Sequence, residues 1–466
     1  MTFRNAVLNT PVETRTENGM RTLESSLSKS TDLFFKLGAS RGKDITREFE
    51  TSYHEDRDVA LRIAQWGRDV RGGAGERMLY RQILKFLEKN YRDDLLNTRI
   101  LANTAEIGRW DDLLIFEDAQ VKAKAFGLIR EALDAGNGLA AKWMPRKGPV
   151  AVDLRNTFGW SPKFYRKRLV ELTKVVETQM CAQDWNEINF SHVPSLAMSR
   201  YSKAFLKNAP VAFTEYKEAL QSGDPSVKVN AGAVYPYDIV KNVRHGDSGL
   251  ADEQWKALPD FIGDAKILPL VDVSASMGNK VGGSKNLSCM DVAISLGLYC
   301  SDKNKGEFKD MFLTFSSVPK FVTVKGTLSQ KIRQMETSDW GMSTDLHKAF
   351  DEILRVAVAN KVAAEDMPQA VLILSDMQFN CCRGYDDTAF EMINRKYQEA
   401  GYKKPAVVFW NLRASEGAPV RFDEKGTALV SGFSPAIMKS VLEANFEAMS
   451  PEGIMRSTVM IDRYSI

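Results

Sequence analysis

Ile267-Leu-Pro-Leu-Val-Asp272-Val-Ser274-Ala-Ser276 is the stretch on which the reading of this chain turns. Its first five residues are apolar. A short continuous apolar run that ends in turn residues is the mark of a strand buried on both faces. At the carboxyl end of the run, one carboxylate and two hydroxyls recur at every second position. Asp272, Ser274 and Ser276 can therefore turn inward together, and hard oxygen donors of this kind suit Mg²⁺. Working outward, further apolar or β-rich runs begin at Asp310, Lys320, Ala370 and Ala406, and helical windows begin at Cys289, Leu346 and Phe390. The alternation predicts a Rossmann-like α/β domain with a central, mostly parallel sheet covered on both faces. Ligands of such sheets sit at the carboxyl ends of the strands. Two more oxygen-bearing pieces fall there: Gly341-Met-Ser-Thr344-Asp345, just before a helix, and Asp376, at the end of the run from Ala370.

Upstream the texture is different. From about Leu23 to Ser222, apolar residues recur at three- and four-residue spacing in windows that begin at Asp58, Arg77, Asp94, Ala123 and Lys163. Breaks such as Arg71-Gly-Gly-Ala-Gly and Asn208-Ala-Pro punctuate them. Many short helices with tight connections predict stacked hairpins, a HEAT-like α-solenoid or ring, although no fixed period marks a regular repeat. The stretch from Ser222 to Gly249 is turn-rich and is expected to join the two parts. The resulting plan is an amino-terminal arm (1–20), a helical domain (21–250), a linker (251–261) and the α/β domain (262–466).

A length of 466 residues fits two or three domains. With 44% hydrophobic and 26% charged residues, the composition excludes a disordered, collagen-like or membrane-embedded chain. Lys+Arg (63) and Asp+Glu (60) nearly balance, so any affinity for nucleic acid or lipid must be local. The five cysteines include no C-x-x-C pair, which points to a reducing compartment. Met1–Gly19 lacks the apolar core of a signal peptide, and no apolar run reaches the roughly 18 residues of a membrane span. A cytoplasmic location with no membrane partner is expected.

The order D-x-S-x-S, loop Thr, then Asp after a later strand resembles the von Willebrand factor A domain and its metal-ion-dependent adhesion site. The matching positions are Asp272, Ser274, Ser276, Thr344 and Asp376. The resemblance implies that the Ser and Thr hydroxyls hold a divalent metal directly. One or both Asp then act through water, and an open position takes a partner's acidic group. Mg²⁺ is the first expectation, with Mn²⁺ left open.

The helical half carries a second resemblance, in phrases that begin at Leu33 (LFFKLGASRG), Asp69 (DVRGGAGERMLYRQIL), Ile107 (IGRWDDLL), Ala140 (AAKWMPRKG), Trp185 (WNEINFSHVPSLAMSRYSKAF) and Val229 (VNAGAVYPYDIV). They resemble an uncharacterised family of helical-plus-A-domain proteins from plants, fungi, large viruses and phages. That family is similar in layout to the TROVE-domain, Ro autoantigen-like proteins. The resemblance implies a helical ring closed by the A domain, a small or misfolded RNA as ligand, and a non-catalytic, ribonucleoprotein role.

RNA binding needs cations for phosphates and aromatic faces for unstacked bases. Residues 141–217 contain 13 Lys+Arg against 6 Asp+Glu. The expected contacts are Lys142, Arg146, Lys147, Arg166, Lys167, Arg168, Arg200, Lys203 and Lys207, interleaved with Trp143, Phe158, Trp160, Phe164, Tyr165 and Tyr201. A solvated helix surface over core aromatics is the plainer reading of any one of them. A second function from another class is a protein adaptor, its A domain gripping an acidic residue of a partner, by analogy a MoxR-type AAA+ ATPase. A third is a metal-dependent hydrolase. No catalytic residue is assigned: His54, His192, His245 and His347 lack zinc-ligand spacing, and no nucleophile elbow is present. His347 is expected on a helix surface, and Cys381 and Cys382 as surface thiols. Arg71–Arg77 lacks the Lys-Ser/Thr of a P-loop and reads as a helix-to-helix turn, so no nucleotide cofactor is expected.

Overall fold

The computed structural model describes residues 10–466 apart from 233, 245–247, 283, 285, 316–317, 339–343 and 382–385. A hairpin comes first, β1 (Glu13–Arg15) paired antiparallel with β2 (Arg21–Leu23). It escaped the sequence reading because each strand has three residues and β1 is exposed throughout, so no alternation develops.

Helices then run from Lys29–Leu37 to Ser248–Lys256. Local chemistry starts and stops them. Ser28, Asp56, Asp118, Asn137 and Ser161 each accept a backbone N–H of the first turn that follows. Pro149, Pro162 and Pro210 open helices where no N–H is needed. The turn-rich stretch proves partly helical: it contains Pro236–Arg244 and the start of Ser248–Lys256, so the expected linker begins inside a helix. Tyr237, Val240 and Val243 recur every third residue and are buried, a short period hidden between Gly, Asp and Ser.

The carboxyl-terminal part is the expected doubly wound sheet. Its strands are β3 (Ile267–Asp272), β4 (Met311–Phe315), β5 (Phe321–Thr323), β6 (Ala370–Ser375), β7 (Ala406–Asn411) and β8 (Thr427–Ser431), in the order β5-β4-β3-β6-β7-β8. All neighbours are parallel except the edge pair β4 and β5. β8 was not anticipated; its five residues lie between glycines and carry only two large apolar side chains. Alternate residues face opposite ways. Ile267, Val271, Leu374 and Trp410 join the core that continues into the helical domain, whereas Leu268, Leu270, Ile373 and Phe409 pack under Leu346–Asn360 and Ala389–Ala400.

The helical run is anchored on the sheet domain at both ends. Its first helix, Lys29–Leu37, lies on β8: Ser431 Oγ donates to Phe34 O at 2.7 Å and accepts from Gly38 N at 3.1 Å. At the other end, Pro236–Arg244 and Ser248–Lys256 pack against Cys289–Lys303 and Leu328–Glu336. A satellite core of Phe190, Phe205, Phe213 and Tyr216 supports Ser195–Asn208 and Pro210–Ser222. No helix among the described residues is long and apolar enough to cross a membrane.

Candidate metal centre and basic face

Parallel pairing decides where the oxygen donors meet. Val271 lies opposite Leu374, so β3 and β6 end side by side and release Asp272 and Asp376 at the same edge. Both carboxylates are fully buried. Asp272 Oδ1 accepts from Ser274 N at 2.9 Å and Oδ2 from Ser375 Oγ at 2.5 Å. The hydroxyls of Ser274 and Ser276 lie 3.0 Å apart. Asp376 Oδ1 accepts from Gln378 N at 3.2 Å. Thr344 is buried, and its carbonyl accepts from Asn380 N at 3.0 Å, which ties its loop to the one leaving β6. Asp345, next in the chain, caps Leu346–Asn360 by accepting from Lys348 N. Gly341–Ser343 lie outside the described residues, as do His245 and Cys382.

Electrostatics at this edge are strained. Burial, and then the charge of Asp376, push the Asp272 carboxyl up to about 6. The same two causes push the nearby Cys289 thiol up to about 11. Two carboxylates and the hydroxyls of Ser274 and Ser276, all oxygen, make a donor set that fits a hard divalent cation, which would neutralise the repulsion. Among the described residues no cluster of three or more His, Cys, Asp or Glu is placed to hold a metal. A bound cation would be held by Asp272, Ser274, Ser276, Thr344 and Asp376.

The sequence reading missed Arg413. Its guanidinium lies 3.3 Å from Asp376 Oδ2 and 3.7 Å from Glu17. The available signal was its position two residues beyond β7, at the same strand-end edge. Lys43, from the helical part, donates to Arg413 O and Ala414 O at 3.2 and 3.1 Å. The amino-terminal hairpin also borders this edge: Thr16 Oγ1 donates to Phe379 O, and Asn18 Nδ2 to Gln378 O, both at 2.6 Å. His347 is buried rather than on a helix surface, because it shares the inner face of its helix with Phe350 and Leu354. Burial and the charge of Lys396 push its imidazole pKa down. Cys381 is exposed, as expected.

The nine basic residues differ in what they already hold. Arg146 donates to Ala141 O, Met144 O and Thr173 Oγ1, and Arg168 to Leu133 O and Asp134 O, so both guanidiniums are committed to closing helix ends. Lys142 lies 3.7 Å from Glu177. Lys147, Arg166, Lys167, Arg200, Lys203 and Lys207 are exposed, and none has an ion-pair partner among the described residues. The Arg71–Arg77 loop is a helix-to-helix turn whose amides are used internally. Ala74 N donates to Trp66 O and Glu76 N to Gly67 O, and a Cβ on Gly73 would lie 1.9 Å from Trp66 O.

Comparison with known proteins adds relatives. Residues 161–266 match a domain of unknown function (DUF2828), and residues 266–460 match another (DUF7788). An uncharacterised protein of Acanthamoeba polyphaga mimivirus is 29% identical across 93% of this chain and 86% of its own length. The crystal structure of the Deinococcus radiodurans Ro (Rsr) protein aligns with 93% of this chain and 99% of its own, at 14% identity and a TM-score of 0.40. The viral relative and the first domain match accord with the uncharacterised family that the helical phrases resemble. The chain is thus similar over nearly its whole length to an uncharacterised viral protein, and joins two domains of unknown function at residue 266.

Proposed function

We propose that the chain is a cytoplasmic, non-catalytic RNA-binding scaffold. Its helical domain contacts RNA phosphates, and a divalent metal at Asp272, Ser274, Ser276, Thr344 and Asp376 engages an anionic group of a partner. The observation that carries the RNA reading is the helix Ser195–Asn208, which presents Arg200, Lys203 and Lys207 at helical-turn spacing, all exposed and unpaired among the described residues. Cations free of internal partners are the ones that displace counterions from a phosphate backbone. Exposed Phe164, between Lys163 and Arg166, adds a stacking face. The test is co-purification of RNA from the native host at low salt, with wild type against Arg166→Glu/Lys167→Glu/Arg200→Glu/Lys203→Glu. RNase-sensitive nucleic acid retained by wild type and lost from the variant supports the reading. Clean wild-type protein at low salt refutes it.

A second reading is an adaptor working through the metal centre. The placement of Arg413 supports it, since a cation at this strand-end edge, next to Asp376, complements an acidic residue of a partner protein, a MoxR-type AAA+ ATPase being one such partner. Asp272→Ala then loses a protein partner while RNA content stays unchanged.

A further inference from the structure

The start of the helix Arg77–Asn90 gathers more guanidinium than carboxylate. Arg68, fully buried, donates from Nε to Asp112 Oδ2 at 2.8 Å. Arg81 donates from Nε to the other oxygen of Asp112 at 2.6 Å and reaches Asp111 at 3.1 Å. Arg109 clasps Asp111 with two hydrogen bonds of 2.8 and 2.5 Å. Its guanidinium carbon sits 3.4 Å from the centroid of the Trp143 ring, which fixes it from the other side. Each of the two carboxylates is already shared by two arginines.

Arg77 is left over. It is half-buried, and its guanidinium has no hydrogen bond or ion pair among the described residues. Burial, then the charges of Arg109 and Arg81, push it below the ordinary arginine range, against weaker opposition from Asp111 and Asp112. Arg77 and Arg81 stand four residues apart, one turn along the same helix, so this half-buried cation without an anion sits beside the arginine that already holds both Asp111 and Asp112. Four guanidiniums around two carboxylates leave a charge excess that one tetrahedral dianion matches. Guanidinium forks bind such oxyanions through paired N–H groups.

We propose that Arg77, with Arg81 and Arg109, forms a phosphate-binding site on the helical domain, separate from the exposed face of Ser195–Asn208 and from the metal centre. Arg77 supplies the free fork, and Arg81 and Arg109, held by Asp111, Asp112 and Trp143, supply fixed positive charge around it. The ligand class is a phosphate, either free or as the terminal monoester of a larger molecule.

The test is calorimetric titration of inorganic phosphate into the full chain at low ionic strength, with chloride as the control anion. Wild type is expected to show one saturable site. Arg77→Gln binds at least ten-fold more weakly, and Arg77→Lys recovers part of the loss. Thermal unfolding supplies the readout that a packing role would move the other way. Without phosphate, Arg77→Gln melts at or above the wild-type temperature because like-charge repulsion is relieved, and phosphate raises the wild-type Tm only. Competition by adenosine monophosphate and by an oligoribonucleotide with and without its 5′-phosphate identifies the source. A preference for the phosphorylated oligonucleotide assigns the site to a chain end, and equal competition assigns it to small phosphates. No saturable phosphate site in wild type, equal affinity in Arg77→Gln, or a Tm several degrees lower in that variant overturns the proposal. None of these variants touches Arg166, Lys167, Arg200 or Lys203, so the RNA reading stands or falls separately.

Discussion

Asp272 shows how one residue ties the sequence motif to a measurable property. Its carboxyl is pushed up to about 6, whereas an unfolded aspartate titrates near 3.9. Between those values the folded chain holds more protons than the unfolded one, so metal-free stability falls as pH rises through that window. The loss is roughly 1.4 kcal/mol for each pH unit separating the two values. Thermal unfolding in a chelator across pH 4–6 should show a shallower decline in Asp272→Asn than in wild type, the remainder coming from Asp238, whose carboxyl burial also pushes up to about 6. Mg²⁺ acts oppositely, since it takes the carboxylate form. At a hundred times its Kd it should stabilise wild type by about 2.7 kcal/mol at neutral pH, and Asp272→Asn should lose most of that gain. A Tm that ignores Mg²⁺ in wild type would contradict the metal centre. The oxygen donors were legible because D-x-S-x-S follows a buried strand directly. Arg413 was not, because its relation to Asp376 exists only through the pairing of β6 with β7.

At the scale of elements, the first helix and the last strand make a close backbone junction. A Cβ on Gly38 would lie 2.5 Å from the main-chain oxygen of Ser431. Gly38→Ala should therefore destabilise by about 1–3 kcal/mol in urea unfolding, as overpacking against immovable backbone does. An unchanged midpoint would mean that helix and strand slide apart freely. The helix Ser195–Asn208 makes the opposite kind of prediction. Arg200→Glu/Lys203→Glu/Lys207→Glu lies on exposed surface, so it should leave the Tm nearly unchanged while flattening the salt dependence of single-stranded RNA binding. The slope of log Kobs against log salt should become less steep by about 0.7 for each phosphate that the variant no longer neutralises. An identical slope would remove this face from the interface.

For the whole molecule, one core runs from Leu33 and Phe34 through the helical domain to Trp410, Val430 and Tyr464. The end of the chain closes it. Asp69, buried, accepts from Arg463 Nε at 2.5 Å and from Tyr464 Oη at 3.0 Å, and Gln65 Nε2 donates to Tyr464 O at 3.0 Å. Calorimetric unfolding should then be a single cooperative transition rather than one per domain; two resolved transitions would show that the helical and sheet parts are independent. Asp69→Ala leaves the Arg463 guanidinium without its anion. Because Arg463 remains partly exposed, the cost should be about 2 kcal/mol, less than for a fully buried pair, and the single transition should move as a whole.

Local pattern alone determined most of the elements and the order of the oxygen-bearing residues at the sheet edge. A buried strand is written as an apolar run, a helix as a three-to-four-residue period, and a strand-end motif travels with its strand. Short elements without a period, β1, β2 and β8, left no such trace. Only the tertiary structure decided which of the nine basic residues remain free, since Arg146 meets the Thr173 hydroxyl, and Arg168 the Leu133 carbonyl, only through helix packing. It alone isolated Arg77 among arginines and joined two compositionally distinct halves into one core. Charge balance, burial and close approach are properties of neighbours in space, and residues separated by hundreds of positions become neighbours only when the chain has folded.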